Sequence, residues 1–169
     1  MLPEEAVRRT LKNVRLVGLI RLASVGKAAW RMAVIALDQL GESLDRGIVI
    51  TQYGHIFGEL NRIACFDAGH PLPDDHSLKA AEAALEFVTG LTKDNTALFL
   101  LSGGNSALFE KPLITLEEQT TSTDSCFCCG AGMVEINTIR RWHKFQCHPA
   151  KERCLLSGTC TNAIFQAST

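Results

Sequence analysis

Strand-like apolar segments alternate with helical segments over residues 1 to about 110, and this alternation is what most constrains the fold. The apolar run Leu16–Val25, interrupted by Arg21, is typical of a strand that is buried on both faces. Apolar residues then recur at helical spacing over Ala29–Leu40, and Gly41 stands where a glycine commonly ends a helix. Such alternation predicts a Rossmann-like, doubly wound α/β domain, with a mainly parallel sheet and helices on both faces.

Further elements continue the same pattern. Short strands are predicted at Gly47–Thr51, Arg62–Phe66 and Ala97–Leu101. The segment that begins at His70 contains two prolines, so it is extended, and a helix should follow it. The buried stripe of that helix is predicted to consist of apolar residues at helical spacing, which are Leu78, Ala81, Leu85 and Val88.

The charge balance excludes some classes of partner. Seventeen basic and 18 acidic residues give a formal net charge of −1, which provides no electrostatic basis for binding nucleic acid or an anionic membrane. No apolar run reaches the roughly 20 residues of a membrane-spanning helix, and the charged start does not resemble a signal peptide. The sequence therefore predicts a cytoplasmic protein without a nucleic-acid or membrane partner.

A glycine-containing loop after the predicted strand Ala97–Leu101 is the strongest local signal for function. Its residues are Ser102, Gly103, Gly104, Asn105 and Ser106. Glycines let the backbone approach a ligand closely, and a following helix N-terminus favours anions such as phosphate or carboxylate. Asn105 fits this loop because asparagine tolerates left-handed geometry. A tight turn without a ligand remains the alternative.

Lys27 and His70 are the other candidate site residues. Lys27 follows the strand Leu16–Val25, and the carboxyl ends of parallel strands share one edge of a sheet, so we expect Lys27 beside the glycine loop. There it could neutralise an anion, or it could be a solvated lysine of a first helical turn. His70 could be a general base or a metal ligand, or the extended segment that contains it could simply cross the sheet edge without a ligand. Asp74 and Asp75 are expected to cap the next helix rather than to bind metal.

Five separated segments support a specific family resemblance. They are Val25–Ala33, Thr51–His55, Ala68–Asp74, Leu98–Leu108 and Glu135–Arg140. In order and spacing they resemble the two-domain bacterial glycerate kinases that make 2-phosphoglycerate, whose relatives are sometimes labelled hydroxypyruvate reductases. The resemblance covers residues 5 to about 141.

The resemblance implies roles for particular residues. Lys27 corresponds to the active-site lysine, Arg140 lies in a shared Asn-Thr-Ile-Arg motif, and residues 102–106 form the ligand loop, in which Asn105 replaces a glycine. It also implies ATP as the phosphoryl donor, Mg2+ as the metal and glycerate as the substrate. No metal ligand is assigned from the sequence.

The end of the chain departs from the family pattern. Thr115–Glu118 has the form of a capping box, but Gln119–Ser125 offers no apolar face, and six of the seven cysteines follow. We therefore expect a domain over residues 1–141 in which residues 119–129 are atypical, and a poorly ordered, cysteine-rich tail over residues 142–169. Three interpretations stay open: buried thiols, out-of-frame translation, and zinc binding through Cys126, Cys128, Cys129, Cys147, His148 or Cys154.

The functional hypotheses follow from these features. The first is ATP-dependent glycerate 2-kinase, with this chain as an inactive N-terminal part because the family's second domain and an aspartate-bearing loop have no counterpart. The second is a module that binds a phosphorylated metabolite without transferring phosphate. The third, a hydroxypyruvate reductase, is disfavoured because no Gly-x-Gly-x-x-Gly turn follows any predicted strand.

Overall fold

The computed structural model describes residues 2–89, 91–92, 95–109, 114–132, 134–136, 138–139 and 163–166. The helices are α1 Pro3–Asn13, α2 Ala29–Leu40, α3 Asp75–Phe87, α4 Asn105–Leu108 and α5 Leu116–Cys128. The strands are β1 Ile20–Val25, β2 Leu44–Gln52, β3 Ile63–Ala68, β4 Thr96–Leu101 and β5 Ala163–Gln166. A single 3-10 turn, Gly41–Ser43, joins α2 to β2. In these described parts, no helix is long and apolar enough to cross a membrane.

The strands form one parallel sheet in the order β3-β2-β1-β4-β5. Val25, the last residue of β1, pairs in register with Ile50 on one side and with Leu101 on the other. The ends of the central strands are therefore level at one edge of the sheet. The strand order reverses between β1 and β4, and in open α/β sheets this reversal marks the crevice where ligands bind.

Helices cover both faces of the sheet, as the sequence predicted. On one face, Ala29, Met32 and Ala33 of α2 share a core with Leu22 of β1 and Leu98 of β4. On the other face, a second core joins α3 and α4 to strand residues that point the opposite way. Its members include Ala80, Ala84, Leu108, Ala23, Val25, Ile48 and Ile50. The α/β doubly wound class is confirmed.

The buried face of α3 differs from the predicted stripe. Its buried residues are Ser77, Ala80, Ala81 and Ala84, of which only Ala81 was predicted. Leu78 and Leu85 are half-buried at the margins of the helix. The small residues recur at the same helical spacing as the predicted stripe, so spacing alone could not identify which of the two faces is buried.

Most of residues 119–129, for which the sequence offers no apolar face, lie in the helix α5. The capping box forms, since Glu118 N–H donates to Thr115 Oγ1 at 3.2 Å and Thr115 N–H donates to Glu118 Oε2 at 2.9 Å. The helix α5 then buries a mainly polar face made by Gln119, Thr123 and Cys126. Within the predicted tail, Ala163–Gln166 pairs with β4 as a fifth strand, and the predicted boundary at residue 141 lies outside the described residues.

Candidate functional site

The loops after β1 and β4 are joined directly by backbone hydrogen bonds. Lys27 N–H donates to the Gly103 carbonyl at 2.9 Å, and Ser102 N–H donates to the Val25 carbonyl at 2.9 Å. The structure thus brings Lys27 and the glycine loop to the same sheet edge, beside the reversal of strand order. This is the position at which open α/β sheets bind their ligands.

Gly26 allows the two loops to approach this closely. Its φ is +119°, and a Cβ built on it would lie 2.6 Å from the carbonyl oxygen of Ser102 and 2.8 Å from the carbonyl carbon. Ser102 itself is buried, and its hydroxyl accepts a hydrogen bond from Ala28 N–H at 3.0 Å. The Ser102 side chain therefore holds the two turns together, whereas the sequence had assigned it to ligand binding.

Gly104 marks the point where the candidate residues converge. A Cβ added to Gly104 would lie 2.9 Å from His70 Nε2 and 3.2 Å from Lys27 Cε. The imidazole and the end of the lysine side chain therefore both border this glycine. Lys27 is exposed and His70 is half-buried, so the space that they border is open to solvent.

The left-handed position of the loop is Gly104 and not Asn105. Gly104 has a φ of +85° and is the N-cap of α4, while Arg62 is the non-glycine residue with positive φ among the described residues. Because Gly104 already makes the left-handed step, Asn105 begins α4 with helical geometry. The expectation that Asn105 itself would be left-handed is wrong.

The loop presents backbone N–H groups that have no other described partner. Gly103, Gly104 and Asn105 donate no backbone hydrogen bond to another described residue. The helix that follows is a single turn of 4 residues, so its dipole adds less than the sequence suggested. The loop therefore offers individual N–H groups and the adjacent lysine, with little contribution from a helix dipole. Ser106 lies in α4, and Arg140 lies outside the described residues.

Asp74 holds the segment that carries His70. Its Oδ1 accepts hydrogen bonds from Gly69 N–H at 3.1 Å, from Ser77 N–H at 2.9 Å and from the Ser77 hydroxyl at 3.0 Å. Its Oδ2 accepts one from the Tyr53 hydroxyl at 2.6 Å. Burial alone would raise the pKa of Asp74, but these donors outweigh burial and lower it. Asp74 caps α3, as expected.

His55 is a residue to which the sequence assigned no role. Its Nδ1 lies 3.0 Å from the Lys27 carbonyl oxygen, and its Nε2 lies 2.6 Å from Gln52 Nε2. It belongs to the Thr51–His55 segment, which supported the family resemblance without suggesting a function. The distance along the chain between His55 and Lys27 concealed their contact.

The site residues fit some of the implied ligands and not others. A lysine, an imidazole and backbone N–H groups without an acceptor among the described residues suit the phosphate groups of ATP. Mg2+ prefers carboxylate and other oxygen ligands, and among the described residues no group of three or more histidine, cysteine, aspartate or glutamate side chains could hold a metal ion. Of the possible zinc ligands, Cys126 is buried, Cys128 and Cys129 are exposed, and the remainder lie outside the described residues.

The sequence profile of a family described as a domain of unknown function, DUF4147, matches residues 1–144. The chain belongs to this family. D-glycerate 2-kinase of Thermotoga maritima is 45% identical over 141 residues, which are 82% of this chain and 34% of that protein. A putative hydroxypyruvate reductase of Agrobacterium vitis is 37% identical over 123 residues, which are 71% of this chain and 28% of that protein.

A solved structure agrees with these sequence relatives. The crystal structure of glycerate kinase from Thermotoga maritima matches with a TM-score of 0.83 and 37% identity, covering 99% of this chain and 40% of that chain. The resemblance to glycerate kinases is confirmed, and the DUF4147 chain described here spans about a third of the length of the curated relatives that it matches.

Proposed function

We propose that this chain binds the phosphate groups of ATP at the Gly103–Asn105 loop and contributes that site to the phosphorylation of glycerate to 2-phosphoglycerate. The observation that carries the proposal is the convergence of Lys27, His70 and Gly104 at the reversal of strand order. Relatives named as glycerate kinases supply the substrate class.

The proposed mechanism is charge neutralisation and positioning. In phosphoryl transfer the charge is spread over the phosphoryl oxygens, so fixed donors and cations accelerate the reaction without covalent chemistry. The Lys27 ammonium would neutralise one phosphate, and the N–H groups of Gly103, Gly104 and Asn105 would donate to its oxygens. His70 Nε2 would contact the ligand next to Gly104. Arg140 is proposed as a second cation on the family resemblance alone.

Binding without turnover is the second candidate for the chain by itself. Phosphoryl transfer requires donor, metal and acceptor to be aligned by charges from several elements. Among the described residues, the cleft brings together one lysine and one imidazole, and no metal-binding group. We therefore expect that the 169-residue chain, given ATP, Mg2+ and glycerate, forms no more 2-phosphoglycerate than its Lys27→Ala variant does. Clear turnover above that variant would overthrow this expectation.

A binding measurement tests the site independently of turnover. Isothermal titration with inorganic tripolyphosphate should give a dissociation constant that Lys27→Ala raises about tenfold or more, since hydrogen bonds to charged groups contribute about 1.5–3 kcal/mol. Lys79→Ala is the matched control, because Lys79 is an exposed lysine on α3 and its loss changes the net charge equally. Equal weakening by both variants would mean that the anion binds by net charge and not at this site.

Nucleotide binding distinguishes the kinase proposal from the alternative that the chain is a reductase. No Gly-x-Gly-x-x-Gly sequence follows β1 or β4, and that pattern is what places a dinucleotide pyrophosphate on a helix N-terminus. We expect ATP to displace tripolyphosphate from the chain and NADH not to displace it. Displacement by NADH at comparable concentration would favour the reductase instead.

A further inference from the structure

The backbone around Lys27 is held at every peptide group. Gly26 N–H donates to the Ile50 carbonyl at 3.0 Å, and Lys27 N–H donates to the Gly103 carbonyl at 2.9 Å. On the other side of the residue, the Lys27 carbonyl faces Nδ1 of His55 at 3.0 Å. Lys27 is therefore fixed between the glycine loop and a side chain from the loop that follows β2.

The chemistry of these contacts determines which nitrogen of His55 carries the proton. A carbonyl oxygen can only accept, so Nδ1 must be the donor to Lys27. In the neutral ring Nε2 is then an acceptor, and it lies 2.6 Å from Gln52 Nε2, an amide nitrogen that can only donate. Gln52 ends β2 and is paired in register with Ala68, so the backbone that carries this donor has a fixed position. The hydrogen bonds run in one direction, from Gln52 through His55 to Lys27.

The same loop is anchored to the segment that carries His70. The Tyr53 hydroxyl donates to Asp74 Oδ2 at 2.6 Å, and Asp74 Oδ1 accepts from the backbone N–H of Gly69, the residue before His70. At the far end of the loop, Trp30 Nε1–H donates to the Gly58 carbonyl at 3.0 Å. The loop after β2 is therefore connected both to Lys27 and to the segment that carries His70.

We infer that His55 is a positioning residue that fixes Lys27 beside the glycine loop by donating Nδ1–H to the Lys27 carbonyl. This inference rests on the proposed function of the site, because positioning has a consequence only if Lys27 binds the anion. His55 acts through the backbone of Lys27, and Gln52 maintains the ring form that this requires. The loop after β2 thereby connects the backbone of Lys27 to the segment that carries His70.

The first test is the protonation pattern of the ring. Two-bond 1H–15N spectra of the uniformly labelled chain at neutral pH should show a protonated Nδ1 and an unprotonated Nε2 for one of the five histidines. The His55→Asn variant, in which that signal disappears, assigns it. Neutral histidine in water prefers the opposite form, so a purely structural, solvent-exposed ring would show protonated Nε2. That result would overturn the inference whether or not the site binds phosphate.

The second test asks whether the Nδ1 donor alone accounts for the effect. Asparagine places an amide N–H near the position of Nδ1, whereas alanine offers no donor. His55→Ala should weaken tripolyphosphate binding about three- to tenfold, and His55→Asn should stay within about twofold of the unchanged chain. Equal weakening by the two variants would overturn the inference, as would an unchanged affinity in His55→Ala.

The controls separate this inference from the function on which it rests. If Lys27→Ala weakens binding and His55→Ala does not, the anion site stands and the positioning role fails. If Lys27→Ala has no effect, the proposed function fails and the positioning role fails with it. Should His55→Ala not fold, as judged by urea unfolding, the asparagine variant and the ring spectrum still decide the question.

Discussion

Replacing Gly26 by alanine should destabilise this domain strongly. The residue has a φ of +119°, which L-residues rarely adopt, and holding a side chain in such geometry costs about 1–3 kcal/mol. The new Cβ would also lie 2.6 Å from the backbone oxygen of Ser102. The Ser102 backbone is hydrogen-bonded to Val25 and cannot move aside without breaking that bond. Overpacking therefore adds about 1–3 kcal/mol. The sum, about 2–6 kcal/mol, is a large part of the about 5–15 kcal/mol of a typical domain.

Gly54→Ala provides the matched control for that change. Gly54 also has a positive φ, +77°, but a Cβ there would meet nothing within 4 Å. Gly54→Ala should therefore lower the free energy of unfolding only by the cost of left-handed backbone geometry, about 1–2 kcal/mol. Equilibrium unfolding in urea, followed by far-ultraviolet circular dichroism, gives both free energies of unfolding. Equal free energies of unfolding for the two variants would refute the proposed steric conflict between a side chain at position 26 and Ser102.

Three further changes have defined outcomes. Hydrogen bonding to Asp74, with added burial and negative charge nearby, raises the pKa of Tyr53 to about 12. Tyr53 is the one tyrosine of the chain, so its phenolate absorbance should appear at markedly lower pH in Asp74→Asn; an unmoved titration would contradict the bond. Gly104→Ala should destabilise no more than Gly54→Ala, because it meets movable side-chain atoms, yet it should weaken tripolyphosphate binding. Ser102→Ala should lower the unfolding free energy by about 1–3 kcal/mol, since it leaves a backbone N–H without its acceptor; unchanged urea stability would refute this.

The parts of the site that sequence could predict are those fixed by the parallel sheet. Lys27 and Gly103 follow different strands, but parallel strands end at one edge, so their proximity follows from the fold class alone. The cap at Asp74 was predictable for a similar reason, because a proline segment, an aspartate and a helical stripe were adjacent in sequence. Both predictions needed only local patterns and one topological rule.

The features that the sequence missed have different physical causes. Nothing near His55 in the sequence indicates that its ring faces the Lys27 carbonyl, because the loop after β2 must first fold back across the end of β1. The buried face of α5 could not be predicted from apolar periodicity, because two of its residues, Gln119 and Thr123, are polar. Left-handed backbone geometry was expected at Asn105, but Gly104 adopts it instead.

The position of β1 has a consequence for how this protein is made. Ile20, at the start of β1, pairs with Leu44 on one side and with Thr96 on the other. During synthesis the first edge can close as soon as β2 emerges, but the second stays open until β4 has been translated. Such distant pairing slows folding, and an open edge on an apolar strand invites pairing with another chain. The strand that leads into Lys27 is therefore open to aggregation while the chain is still on the ribosome, and slower translation between β2 and β4 should reduce the yield of native protein.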